Sequence, residues 1–164
     1  MSKKITVFYA HPSFDTEDKI EKDCGNIRKI IRARGERAGK DLKINIVPGR
    51  EDFRVHHRGD WNSWAKSVIA REHSITRKPY YDMVVIPSPF VGRATAQIVG
   101  MAIRIGRPVF LLCQHEERED APEIQRITQV YPYDEEDWAG GYRCDPDPQL
   151  NLPFKEKDNG QPND

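Results

Sequence analysis

The sequence predicts a single α/β domain, and three observations carry that prediction. An apolar run at 83–86 is bounded by turn signals, which marks a strand buried on both faces. After the turn at 87–92, Ala94, Ile98, Met101, Ala102 and Ile105 recur at helical spacing, and Gly106 with Pro108 stops that helix. Val109-Phe110-Leu111-Leu112-Cys113 then makes a second apolar strand. Strand, turn, helix and strand form a βαβ unit, so a parallel sheet packed against helices is expected.

The chain has 164 residues, enough for one domain with its own core. Lys plus Arg and Asp plus Glu are 26 each, a balance that points away from nucleic acid and from membrane surfaces. The three cysteines, Cys24, Cys113 and Cys144, are odd in number and far apart, so no disulfide framework is expected, and no Cys/His spacing matches a zinc site. Lys3-Lys4 leads straight into a strand without a long apolar leader, and no stretch reads as a transmembrane span. The expectation is a cytoplasmic protein with no metal and no resident cofactor.

Ile5-Thr6-Val7-Phe8-Tyr9-Ala10 is β-branched and aromatic and ends at His11-Pro12, which makes it the first strand. Asp15 is a candidate cap for the following helix, which would bury Ile20, Cys24, Ile27, Ile30 and Ile31 and leave Arg28, Lys29, Arg32, Arg34 and Arg37 as a solvated face. Residues 43–47 form the second strand, and 50–59 read as a polar loop. Trp61, Trp64, Ala65, Val68 and Ile69 share one helical stripe behind Asp60, and the two tryptophans are expected to be core anchors. Residues 114–123 read as an acidic loop, 127–131 as a fifth strand and 134–138 as a last helical turn. The domain is expected over 1–144, with 145–164 as a disordered tail too polar to offset its ordering entropy. Right-handed crossovers then favour a flavodoxin-like three-layer sandwich, a five-stranded parallel sheet of order 2-1-3-4-5.

In such sheets the ligand lies at the carboxyl ends of the strands, near the switch point between the first and third. That rule gathers Tyr9, His11, Pro12, Asp15, Asp52, Ser88, Gly92, Arg93, Thr95 and Gln97 on one rim. The start of the third helix, with Gly92, Arg93 and Thr95, offers unpaired N–H groups and a guanidinium to a phosphate or carboxylate. His11 and Asp52 are the candidates for acid/base work, with Tyr9, Pro12, Asp15, Ser88 and Gln97 binding substrate. His56, His57 and His115 lie in polar stretches and read as exposed.

Phe8-Tyr9-Ala10-His11-Pro12-Ser13-Phe14 resembles the opening strand and turn of nucleoside 2-deoxyribosyltransferases. Asp82 and its apolar strand, the run Thr95-Ala96-Gln97-Ile98-Val99-Gly100-Met101-Ala102, and Gly106-Arg107-Pro108-Val109 resemble the same family's second block. The order and spacing hold over roughly residues 4–131. The resemblance implies binding of a nucleoside or nucleotide and cleavage or transfer of an N-glycosidic bond, in a homo-oligomer whose neighbouring chain completes each pocket. In that family a helix glutamate attacks the anomeric carbon. The matching position here is Ile98, which cannot do so, and His11 replaces the glycine of the first turn. Two other resemblances compete. The Ala10-His11-Pro12 turn is similar to that of flavodoxin-like quinone reductases, which use FMN or FAD. The strand order is similar to TIR and related nucleotide-sensing domains, which implies a non-catalytic interaction domain here.

Overall fold

The computed structural model describes residues 3–56, 60–70, 81–113, 123–133 and 141–146. Their elements follow the order β1 (Lys3–Tyr9), α1 (Glu17–Arg37), β2 (Leu42–Pro48), α2 (Gly49–His56), α3 (Trp61–Ala70), β3 (Met83–Ile86), β4 (Phe90–Val91), α4 (Arg93–Arg104), β5 (Val109–Cys113), β6 (Glu123–Tyr133) and β7 (Gly141–Pro146). The expected acidic loop over 114–122, the turn over 134–138, the tail beyond Pro146, His57 and His115 lie outside the described residues.

All the strands join one sheet of order β2-β1-β3-β5-β6-β7-β4. Its first four strands are parallel and stand in the expected sequence. The fifth position corrects the expectation. The strand predicted at 127–131 is part of β6, which runs antiparallel to β5, and β7 and β4 extend the sheet antiparallel beyond it. The reason is connection length: nine residues separate Cys113 from Glu123, fewer than the dozen or so that a parallel crossover needs. The sheet is therefore mixed, with seven strands among the described residues rather than five. Asp145 and Pro146, assigned to the tail by composition, belong to β7.

Alternation along β1 builds a core on each face. Val7 and Tyr9 pack with Ile20, Ile27 and Ile31 of α1, Val85 of β3 and Leu112 of β5. Phe8 and Ala10 face Trp64 and Val68 of α3 and Ile98, Val99 and Ala102 of α4. Cys24 and Ile30 are half-buried at the edge of the α1 layer. Thr16, not Asp15, caps α1, its hydroxyl accepting from Lys19 N–H at 3.1 Å. Asp60 does cap α3, accepting from Ser63 N–H at 2.7 Å, and that bond lowers the pKa of its carboxyl. The loop expected over 50–59 begins instead as helix: α2 runs from Gly49 to His56, with Glu51 and Asp52 in its first turn where the helix dipole favours them. Among the described residues no helix is long and apolar enough to cross a membrane.

Candidate functional site

A cavity of about 500 Å³ opens at the carboxyl ends of β1 and β2 and the N-terminal end of α4. The β1–α1 turn gives it Ala10, His11, Pro12, Ser13 and Phe14, and α2 gives it Gly49, Arg50 and Phe53. Trp61 and Trp64 of α3 form a wall, and Gly92, Arg93, Ala94, Thr95 and Ile98 close the side made by α4.

The wall is aromatic because of helical spacing. Trp61 and Trp64 lie one turn apart on α3, and Phe53 of α2 packs against both. Phe53 stacks on Trp61 with centroids 3.7 Å apart and planes 15° from parallel, and Trp64 meets both rings edge-on. Trp64 is buried, as expected of a core anchor, whereas Trp61 is 46% exposed and lines the cavity. Phe14, 83% exposed, stands at the rim.

Opposite the wall, α4 begins at Gly92, which has extended backbone (φ −82°, ψ −179°) and no side chain to cap the helix. The N–H groups of Arg93, Ala94 and Thr95 and the Arg93 guanidinium have no partner among the described residues. No Asp or Glu is among the described residues that line the cavity. Its other cation, Arg50, is engaged: its guanidinium pairs with Glu17 at 3.2 Å and donates to the carbonyl oxygens of Ser13, at 3.0 Å, and Asp15. The cavity therefore combines an apolar aromatic wall with one unpaired cation and a positive helix end.

The structure separates the residues that the sequence gathered on one rim. His11, Pro12, Gly92, Arg93 and Thr95 line the cavity. His11 does so as a fixed group: Arg50 N–H donates to its Nε2 at 3.0 Å, which places the ring proton on Nδ1, 2.7 Å from the Pro12 carbonyl oxygen. The imidazole is 7% exposed, and burial lowers its pKa against the weaker upward pull of the Pro12 carbonyl and Asp15.

Asp52 turns away from the cavity. It is 2% exposed and accepts from Trp64 Nε1 at 2.7 Å and from the Tyr81 hydroxyl, so it braces the aromatic wall from behind. Tyr9 projects to the α1 face and donates to Asp23, which also pairs with Lys19 at 2.7 Å. Burial above all, and the Asp23 carboxylate, push the Tyr9 pKa upward. Ser88 closes its own turn, accepting from Phe90 N–H at 3.1 Å, and Gln97 donates to Asn62 at 3.1 Å, joining α4 to α3. Asp15 is buried in the turn, and its Oδ2 has no hydrogen-bond partner among the described residues.

No family model, curated protein or solved structure matches this chain.

The cysteines offer no nucleophile. Burial raises the Cys24 thiol to about 11, the Cys144 thiol to about 12 and the Cys113 thiol above its usual value, so all stay protonated at neutral pH. Among the described residues no group of three or more His, Cys, Asp or Glu could hold a metal ion. The aromatic wall is the feature that sequence reasoning missed. Its signal was there in Trp61 and Trp64 one turn apart, but Phe53 fell in a segment read as loop, so the third ring had no helix to place it.

Proposed function

We propose that the chain is a nucleotide-binding domain, deoxyribosyltransferase-like in its site but binding its ligand rather than cleaving it. The observation that carries this reading is the composition of the cavity. Stacked Phe53 and Trp61 suit a base, while Arg93 and the free α4 amides suit a phosphate, with no lining carboxylate among the described residues to repel it. Base–aromatic stacking contributes about 1–3 kcal/mol per base. Retaining glycosidic cleavage needs a carboxylate at the anomeric carbon. The position where the resemblance puts that carboxylate is Ile98, an apolar wall of the cavity, and Asp52 is committed to Trp64 and Tyr81.

Calorimetric titration with a deoxynucleoside, its 5′-monophosphate and FMN tests the reading, followed by chromatography for released base. The expected result is binding of the monophosphate at least tenfold tighter than the nucleoside, without base release. Tight binding of FMN alone would contradict it in favour of a flavin site, and release of free base would contradict the non-cleaving role.

A further inference from the structure

At the opposite end of the sheet, where the parallel strands begin, lies a second cleft of about 240 Å³ that the nucleotide reading does not use. Its floor is aliphatic, with Ile5, Ile31, Leu42, Met83 and Ile124, and Phe110 forms one wall. Gly35 lines it as well, and a Cβ there would lie 2.5 Å from Leu42 Cδ1, so a larger residue would have to displace the Leu42 side chain from the cleft's edge. Lys3, Arg34 and Lys40 converge on its rim from β1, the last turn of α1 and the α1–β2 turn.

All three cations are exposed, and none has a carboxylate partner among the described residues. Arg34 donates only to the Ile124 carbonyl oxygen, at 3.3 Å. The neighbouring acids, Glu36 and Asp41, do not line the cleft. Three convergent cations above an apolar floor repel one another unless an anion joins them. The cleft is smaller than the roughly 300–1,000 Å³ of a drug-sized site, which favours a ligand smaller than a nucleotide. The narrow aliphatic floor fits an unbranched chain better than a ring.

We propose that this cleft binds a small organic anion with a slender apolar body, of which an acyl carboxylate is the simplest form. The chain lies on Ile5, Leu42, Met83 and Ile124, and the acid group meets Lys3, Arg34 and Lys40. A bare phosphate lacks the apolar contact, and a neutral alcohol lacks the charge.

The test is two-dimensional amide NMR of the full chain titrated with octanoate, with inorganic phosphate, octanol and a short DNA duplex as comparisons. Octanoate is expected to shift the amides of Lys3, Gly35, Phe110 and Ile124 and to bind at least tenfold tighter than phosphate or octanol. The double variant Lys3→Glu, Lys40→Glu alters only exposed side chains and is expected to weaken octanoate at least tenfold. Ala38→Phe, which fills the cleft from an exposed position, is expected to block it, while Arg93→Ala leaves it unchanged. Equal affinity for octanoate and phosphate, binding of the duplex without octanoate, or unchanged affinity in the double variant would each overturn the proposal.

Discussion

The N–H of Arg50 donates to Nε2 of His11 at 3.0 Å, so α2 begins on the ring of a residue just beyond β1. The Arg50 guanidinium returns to the same turn through Ser13, Asp15 and Glu17. One residue of α2 thus holds the β1–α1 turn by its main chain and its side chain, and that turn forms one side of the cavity.

This geometry sets a pH dependence. The His11 pKa lies below its unfolded value of about 6.5, so the unfolded chain takes up a proton first as pH falls. The stabilisation is present above that pH and is lost progressively as pH falls toward the folded pKa. Urea unfolding of the wild type and His11→Asn should give a stability gap that narrows from pH 7.5 to pH 5.5. A gap that stays constant would mean that His11 titrates alike in both states.

Asp52→Ala should destabilise the fold by about 1–3 kcal/mol, because it removes the carboxylate to which the buried Trp64 Nε1 and Tyr81 hydroxyl donate. At about 2–4 °C per kcal/mol, the melting temperature falls by several degrees. Differential scanning calorimetry checks this. An unchanged melt would return Asp52 to the list of candidate acid/base groups.

Tyr9→Phe should cost about 1 kcal/mol, since Asp23 keeps Lys19 when the hydroxyl is removed. Nucleotide affinity should not change, because Tyr9 faces the α1 core. Chemical denaturation and a binding titration on the same variant separate the two effects; lost affinity at unchanged stability would place Tyr9 in the site.

Gly92→Asp opposes stability and binding in one substitution. The extended backbone at Gly92 suits a capping carboxylate, and a Cβ there meets nothing within 4 Å. The new side chain should stabilise α4 by a few tenths of a kcal/mol and occupy the amides offered to a phosphate. A slightly raised melting temperature with at least a tenfold loss of monophosphate affinity is expected. Retained affinity would remove the α4 amides from the site.

Much of this was legible in the sequence. The βαβ periodicity located β3, α4 and β5, and the switch-point rule pointed to the end of the sheet where the cavity opens. What failed was side-chain direction. Tyr9 and Ala10 are adjacent in sequence, yet strand alternation sends them to opposite faces, so only Ala10 reaches the cavity. Asp52 read as a rim carboxylate because α2 was taken for a loop; on a helix it points inward toward Trp64. The direction of β6 was not readable: a strand at 127–131 leaves thirteen residues after Cys113, enough for a parallel crossover, whereas β6 begins at Glu123 and shortens the connection to nine.

The most direct test of the central claim is thermal unfolding of the wild type and Arg93→Ala with a deoxynucleoside 5′-monophosphate at about 100 times its dissociation constant. Ligand at that level stabilises by about 2.7 kcal/mol, which at about 2–4 °C per kcal/mol raises the wild-type melt by roughly 5–10 °C. The account predicts that shift in the wild type and its loss in Arg93→Ala at the same ligand concentration. A wild-type melt that no nucleotide moves, or an equal shift in both proteins, would contradict it.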